Sequence, residues 1–367
     1  MSEIPNKKQK IIMSYTILFH GNCIDGWFSA YIAYKAIQSS LQGSFQGSLQ
    51  GVFHDNIKMY PISPSKPNTW PTQMAGNHIL LLDISVSKEY RDRWISEGAL
   101  SAECIDHHAT SISHWPANNC PIHTESCAAL QTWMHFYPTK EIPLWLYSID
   151  RIDRWDNPTQ HDRFIREYLS IIAHKPIRGN FDEAFRLTDE FIINVETPEG
   201  LTKILVDGEN LLQKKDGELL KILDNGTIHT FNQDYIHHWN LPFTWLGTEV
   251  FIIDNTGLTL DSTEASYLVF STKPLVSVFI NYRSRYDKYS RKLVYTYSAR
   301  SRGFDITQGT LLKGHPNSAG ATLSIGDVPI LPFLLTDPWE EMKRIEMEME
   351  MRKWKNWNQN KNMEMVK

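Results

Sequence analysis

The stretch "ILFHGNCIDGWFSAYIAYKA", Ile17 to Ala36, sets a histidine and an aspartate, His20 and Asp25, on one turn between an apolar run and an amphipathic pattern. A strand-to-helix turn of this kind is where an open α/β sheet holds ligands, and imidazole beside carboxylate suits a metal. One turn does not complete a metal shell, so further donors must come from elsewhere. "LLLD" ends at Asp83, "AECIDHH" ends at Asp106, His107 and His108, and "LYSIDRIDRWDNP" adds Asp150, Asp153 and Asp156. Carboxylates and imidazoles without thiolates suit Mn²⁺ or Mg²⁺ better than structural zinc. Five or six such ligands exceed what one ion takes from protein, which points to two ions sharing a bridging carboxylate. Two ions about 3.5–4 Å apart are a standard means of activating water against phosphorus. Taken singly, His20 reads as a core or loop histidine and Asp83 as a helix cap. An acid or histidine at the end of three successive predicted strands is not explained by capping alone.

The elements that must position these groups follow from the apolar pattern. "HILLLDIS" (His78 to Ser85) is a continuous apolar run ending in an acid, as in a parallel strand covered on both faces. "SKEYRDRWISEG" reads as a helix with Ser87 as N-cap, and "LSAECID" as the next strand. This rhythm predicts a doubly wound parallel sheet whose strand ends converge on one edge. Helical patterns dominate from Ser126 to Leu223, with a break near "RGNFDEAF". A second alternation begins at "FTWLGTEVFIIDN". "STEASYLVFS" then reads as a helix capped by Ser262 or Thr263, and "LVSVFINYR" and "LVYTYSARS" as strands of a smaller domain. The expected organisation is a leader over 1–14, a metal-binding domain over 15–200, a helical connector over 201–240, a substrate-binding domain over 241–337 and a charged, Met-rich helix or tail over 338–367. "LQGSFQGSLQG" (Leu41 to Gly51) is a small repeat expected as a solvated loop.

Composition removes several classes. At 367 residues and a net charge of −5, the chain is long enough for two cores and is not a protein that coats duplex DNA with a basic face. Its 4 cysteines, Cys23, Cys104, Cys120 and Cys127, lack CxxC spacing and fit a reducing, cytoplasmic setting. No signal peptide pattern opens the chain, and no apolar run is long enough to span a membrane.

"HGNCIDGWFSA", "LLLDIS", "CIDHHAT" and "SIDRIDRWDNP" resemble the four motifs of the DHH phosphoesterase superfamily, in family order. "SARSRGFDIT" and "KGHPNSAGAT" resemble the signature of its associated C-terminal domain, so the resemblance spans Thr16 to Ile325. The first motif, H-x-x-C-x-D-G, is similar to that of the oligoribonuclease and cyclic-nucleotide phosphodiesterase branch, with Cys23 where other branches carry an aspartate. The resemblance implies an α/β fold with a doubly wound parallel sheet, a second, smaller α/β domain and an active site in the cleft between them. It implies two divalent ions, Mn²⁺ before Mg²⁺. His20 would bind the first ion and Asp25 the second. Asp83 would bridge both, and His107 would bind the second with Asp150 completing its shell. Asp153 is the alternative, because "DRID" allows either register. Asp106 would orient or ligate at the same edge, and His108 would face the phosphate. Arg300, Arg302, Gly314, His315 and Asn317 would hold the substrate's phosphates or bases. Arg300 and Arg302 lie two apart on a predicted strand and so share a face, and guanidinium forks match phosphate oxygens. On the residues alone that pair reads as a solvated strand edge. Cys23 is expected beside the metals as a small apolar group rather than a ligand.

The expected reaction is hydrolysis of phosphodiester bonds in short single-stranded RNA or DNA, or in linear or cyclic dinucleotides, with a homodimer compatible and no membrane partner. Two other readings are a phosphatase or pyrophosphatase acting on a small phosphorylated molecule, such as pAp, and a silent nucleotide-binding protein of the same fold. Retention of His20, Asp25, Asp83, Asp106, His107 and Asp150 speaks against the silent form.

Overall fold

The computed structural model describes residues 14–43, 56–63, 70–108, 111, 115, 124–156, 158–238, 241–256, 258, 260–287, 292–303, 305–308, 310–315 and 317–324, with 343, 347 and 351. The leader up to residue 13, the repeat beyond Gly43, Cys120 and nearly all of the 338–367 segment lie outside these residues. The chain divides into two compact units, Met1–Leu212 and Gln213–Lys367. The division falls inside a long helix, Pro198–Leu223.

The first unit is built on a parallel sheet of β1 (Ser14–His20), β2 (Ile57–Ile62), β3 (Asn77–Leu82) and β4 (Ser101–Ile105), in the order β2-β1-β3-β4. The apolar runs are buried on both faces, as parallel strands require. Ile17, Phe19, Leu80, Leu82 and Ile105 join a core with helix α1 (Ile24–Gly43), while Leu18, Leu81 and Cys104 join a second core with Trp94 and Trp115. Burying one such large side chain stabilises by roughly 1.5–3 kcal/mol. Helix α2 (Lys88–Ser96) covers the second face through Trp94. Ser87 stands at its N-cap position but makes no side-chain capping bond there. Strand β2 escapes the sequence reading because "IKMYPI" contains Pro61. A proline is tolerated there because β2 is an edge strand.

The helical stretch resolves into α3 (Ala128–Phe136), α4 (Leu144–Asp153), α5 (Gln160–Ala173), α6 (Phe181–Val195) and α7 (Pro198–Leu223). The expected break is a short 3₁₀ turn, Pro176–Arg178, closed by Gly179 at φ 74°. Thr159 and Asp162 form a reciprocal capping box on α5. The indole of Trp27 on α1 donates to the Thr188 hydroxyl on α6 at 2.9 Å, so α6 locks onto α1.

The second unit contains a mixed six-stranded sheet, β5-β6-β7-β8-β10-β9, formed by β5 (Thr227–Thr230), β6 (Glu249–Asp254), β7 (Val278–Asp287), β8 (Lys292–Ser301), β9 (Lys313–His315) and β10 (Ser318–Ser324). Strands β6 and β7 are parallel and the other pairings are antiparallel. A short helix, α8 (Gln233–His238), follows β5, and α9 (Ser262–Thr272) crosses from β6 to β7. Its cap is Asp261, not Ser262 or Thr263. The Asp261 carboxylate accepts from the Thr263 and Glu264 amides at 3.0 and 3.2 Å, and an ionised acceptor at a helix start suits the dipole. The core is aromatic, with Trp245, Tyr282 and Tyr295 fully buried. Among the described residues, no helix is long and apolar enough to cross a membrane.

Candidate metal centre

Sheet register assembles the site. Phe19 pairs with Leu82, and Leu82 with Ile105, so the residues that follow or end these strands, His20, Asp83 and Asp106, stand side by side at one edge. The turn after β1 brings α1 very close to its own strand. A Cβ on Gly26 would lie 2.3 Å from the His20 carbonyl oxygen, so only glycine fits. Asp83 adopts a left-handed backbone, φ 58°, held by its amide donating to the Ile105 carbonyl at 3.0 Å. Such a conformation costs a non-glycine residue on the order of 1–3 kcal/mol and concentrates at functional sites.

Asp83 is the centre of the arrangement. One carboxylate oxygen lies 3.2 Å from His20 Nδ1, and the other 3.2 Å from His107 Nε2 and 3.9 Å from His108 Nδ1. His107 Nε2 also lies 3.1 Å from Asp153 and 3.7 Å from Asp25. Asp25, in the first turn of α1, accepts from the Ala128 and Ala129 amides at 2.8 and 2.6 Å, which ties the first motif to the start of α3. Asp106 accepts from the His107 amide at 2.8 Å and from His108 Nδ1 at 2.7 Å.

The fourth motif differs from the sequence expectation. Asp150 is engaged elsewhere, accepting from the Cys127 amide at 2.6 Å and from Nε and a terminal nitrogen of Arg154 at 3.0 and 2.8 Å. Asp153, at the C-terminal end of α4, reaches His107 instead. The two acids are three apart on one helix, so they share a face and local pattern does not separate them. The usable signal was Arg154, four residues after Asp150, which marks that acid for an ion pair. Asp156 pairs with the same arginine at 3.3 Å.

The electrostatics are those of crowded acids. Burial, then the charges of Asp83 and Asp153, push Asp25 well above the usual carboxylate range, and Asp153 is raised for similar reasons. Asp83 is buried too, yet His107 and His20 hold it well below that range. Burial opposes protonation of His107 and His108, but the surrounding carboxylates raise them to about 10 and about 9. Three sets of donor atoms, each within 4.8 Å of one another, overlap here: Asp83, Asp106, His107 and His108; His20, Cys23 and Asp83; and Asp25, His107 and Asp153. Asp83 Oδ1 is fully buried without a well-formed hydrogen bond. Hard oxygen and imidazole donors and clustered, buried acids together fit divalent cations. Cys23 stands among these donors, and burial followed by the charge of Asp83 pushes its thiol well up.

In the second unit, Arg300 on β8 donates to the Ala299 carbonyl at 2.9 Å and the Ser298 hydroxyl at 3.2 Å, and reaches Thr263 at the start of α9 at 3.4 Å. Arg302 lies just past β8. It donates to the Phe270 and Pro274 carbonyls and lies over the Phe270 ring, which commits its fork to the far end of α9. Asn317 accepts from the Ser301 amide at 3.1 Å and faces its hydroxyl at 3.3 Å. Gly314 and His315 lie on β9, opposite Ala319 and Ser318 of β10.

No family model and no curated protein matches the chain. Solved structures do match. A pGpG-specific phosphodiesterase from Vibrio cholerae aligns at 13% identity over 92% of this chain and 98% of its own, with a TM-score of 0.43. The DHH domain of a member of a family of ribosomal proteins aligns at 12% identity over 85% of this chain and 83% of its own, with a TM-score of 0.45. RecJ from Thermus thermophilus, solved with Mn²⁺, aligns at 12% identity over 84% of this chain and 50% of its own, with a TM-score of 0.42. One of these matched structures is a DHH domain.

Proposed function

We propose that this chain is a metal-dependent phosphoesterase that hydrolyses phosphodiester bonds of short oligonucleotides or dinucleotides. The observation that carries the reading is the overlap of three donor sets at one sheet edge, with Asp83 and His107 each shared between two of them. His20 and Asp83 would hold one ion, with Cys23 beside them. Asp25, Asp83, His107 and Asp153 would hold the other, so Asp153 takes the place expected of Asp150. Two such ions, Mn²⁺ or Mg²⁺, would lower the pKa of water toward neutrality and offset charge on the phosphoryl oxygens.

The chain's own residues do the rest. Asp106 holds Nδ1 of His108, which leaves Nε2 on the opposite edge of a ring whose side chain is 40% exposed. Burial lowers His108, but without metal the hydrogen bond to Asp106 and the Asp83 charge outweigh it and raise the ring to about 9. A ring N–H placed there would stabilise the charge that develops on a phosphoryl oxygen during attack. The second unit would supply substrate contacts through Arg300, His315 and Asn317, with Arg302 bracing α9. Preference for short nucleic acid substrates rests on the form of the first motif and the "KGHPNSAG" signature, together with a net charge of −5 that disfavours long duplexes.

The test is turnover of a 5′-labelled pentaribonucleotide, linear and cyclic dinucleotides, pAp and pyrophosphate, each with Mn²⁺ and with Mg²⁺. Stepwise shortening of the pentanucleotide or cleavage of a dinucleotide is expected. Hydrolysis of pAp or pyrophosphate alone would replace this reading with the small-molecule one. Bound metal without turnover of any substrate would leave a binding protein.

A further inference from the structure

We propose that Ser111, backed by Ser85, is a positioning residue for hydrolysis: it locks the Asp106 carboxylate, which in turn fixes the ring of His108. The inference rests on the phosphoesterase reading above. Ser85 closes the second motif, "LLLDIS", two residues after Asp83, and Ser111 stands five residues after Asp106.

Asp106 is completely buried. Its Oδ1 collects the His107 amide, the His108 amide at 3.3 Å and His108 Nδ1. Its Oδ2 receives the Ser111 hydroxyl at 2.5 Å. A hydroxyl has one proton to give. Ser111 spends that proton on the carboxylate, so in its 2.6 Å contact with Ser85 it is the acceptor and Ser85 the donor. The chain therefore runs in one direction, Ser85 to Ser111 to Asp106, with His108 donating to the same carboxylate from the other side. The backbone closes the turn as well, since the Ser111 amide donates to the His108 carbonyl at 2.9 Å.

The consequence is mechanical. The terminal torsion of an aspartate is soft and broad. Among the described residues, backbone amides pin Oδ1 and the Ser111 hydroxyl holds Oδ2. Without it the carboxylate plane can turn about the pinned Oδ1, which loosens the direction of the acceptor that sets the His108 ring. Partners of this kind, one step behind the reacting groups, are worth about 10–100-fold in activity. Ser111 is itself 1% exposed, so it acts through Asp106 rather than on a substrate.

The experiment compares Ser111→Ala, Ser85→Ala and Ser111→Thr with the parent protein. Turnover of the pentaribonucleotide with Mn²⁺ is measured alongside Mn²⁺ stoichiometry and the downfield proton resonance of the His108 Nδ1–H in metal-free protein, assigned by its loss in His108→Gln. Ser111→Ala is expected to lower kcat about 10–100-fold with KM and Mn²⁺ stoichiometry unchanged and to shift or broaden the His108 resonance. Ser85→Ala should do the same more weakly, and Ser111→Thr should restore the resonance and most of kcat. An unmoved resonance, a kcat within about threefold of the parent, or loss of bound Mn²⁺ in Ser111→Ala would overturn the proposal. If the parent hydrolyses nothing, the phosphoesterase reading fails, while the resonance still decides whether Ser111 orients His108.

Discussion

Asp150 and Asp153 differ by one helical turn and by everything around them, which makes their amide variants a sharp test of the site. Asp150→Asn keeps an oxygen for the Cys127 amide but gives up the charge that holds Arg154 at 3.0 and 2.8 Å. Hydrogen bonds to charged groups are worth roughly 1.5–3 kcal/mol. Arg154 keeps partial access to water and the nearby Asp156, so the low end applies, about 1.5–2 kcal/mol. For a protein of this size that lowers Tm by about 2–3 °C. Turnover and bound metal should stay within a few-fold. Asp153→Asn is expected to do the reverse. Burial and the Asp83 charge already disfavour its ionised form, so neutralising it should leave the metal-free protein as stable as the parent or more so. It should also abolish retention of the ion shared with His107 and cut turnover by about 1,000-fold or more, about 4 kcal/mol in barrier. Thermal melts with and without Mn²⁺, metal analysis and initial rates on both variants make the comparison. If Asp150→Asn loses metal while Asp153→Asn retains it, the fourth ligand has been misassigned.

Three further outcomes are expected. Gly26→Ala should fail to accumulate as folded protein or lose metal binding, because its Cβ would sit 2.3 Å from the His20 carbonyl; a soluble variant with parental Mn²⁺ stoichiometry would contradict the close approach of α1 to β1. At Asp162 burial opposes ionisation, but the Arg151 fork, Ser148 and Thr159 lower its carboxyl to about 2 from an ordinary 3.8. Its stabilising contribution is thus complete above about pH 4 and lost as pH falls toward 2, so the difference in urea midpoint between parent and Asp162→Asn should be constant from about pH 7 to 5 and shrink below about 4; a difference that grows on acidification would reverse the sign. Cys23→Ser should leave Mn²⁺-dependent turnover within a few-fold, since a soft thiolate adds little to a hard-metal site, and loss of an ion in that variant, seen by metal analysis, would make the cysteine a ligand.

The sequence by itself determined three strands of the first sheet, β1, β3 and β4, and what stands at their ends. Apolar runs closing on His20, Asp83 and Asp106 must be buried on both faces, and a parallel sheet delivers such ends to one edge, so a candidate metal site could be proposed before any coordinates. Local rules also located the 3₁₀ break before α6 and the helix after β6. They could not choose between Asp150 and Asp153, because the choice depends on partners brought from other segments: the Cys127 amide and Arg154 claim one, His107 the other. They offered no means of seeing that Arg302 would spend its fork on backbone carbonyls at the end of α9, since an arginine's use depends on which acceptors lie within its reach. Strand β2 was hidden for a related reason, as only its place at the sheet edge makes Pro61 acceptable. Composition and periodicity act through residues near in sequence, whereas ligand choice, ion pairing and edge position are settled by groups that meet only when the chain has folded.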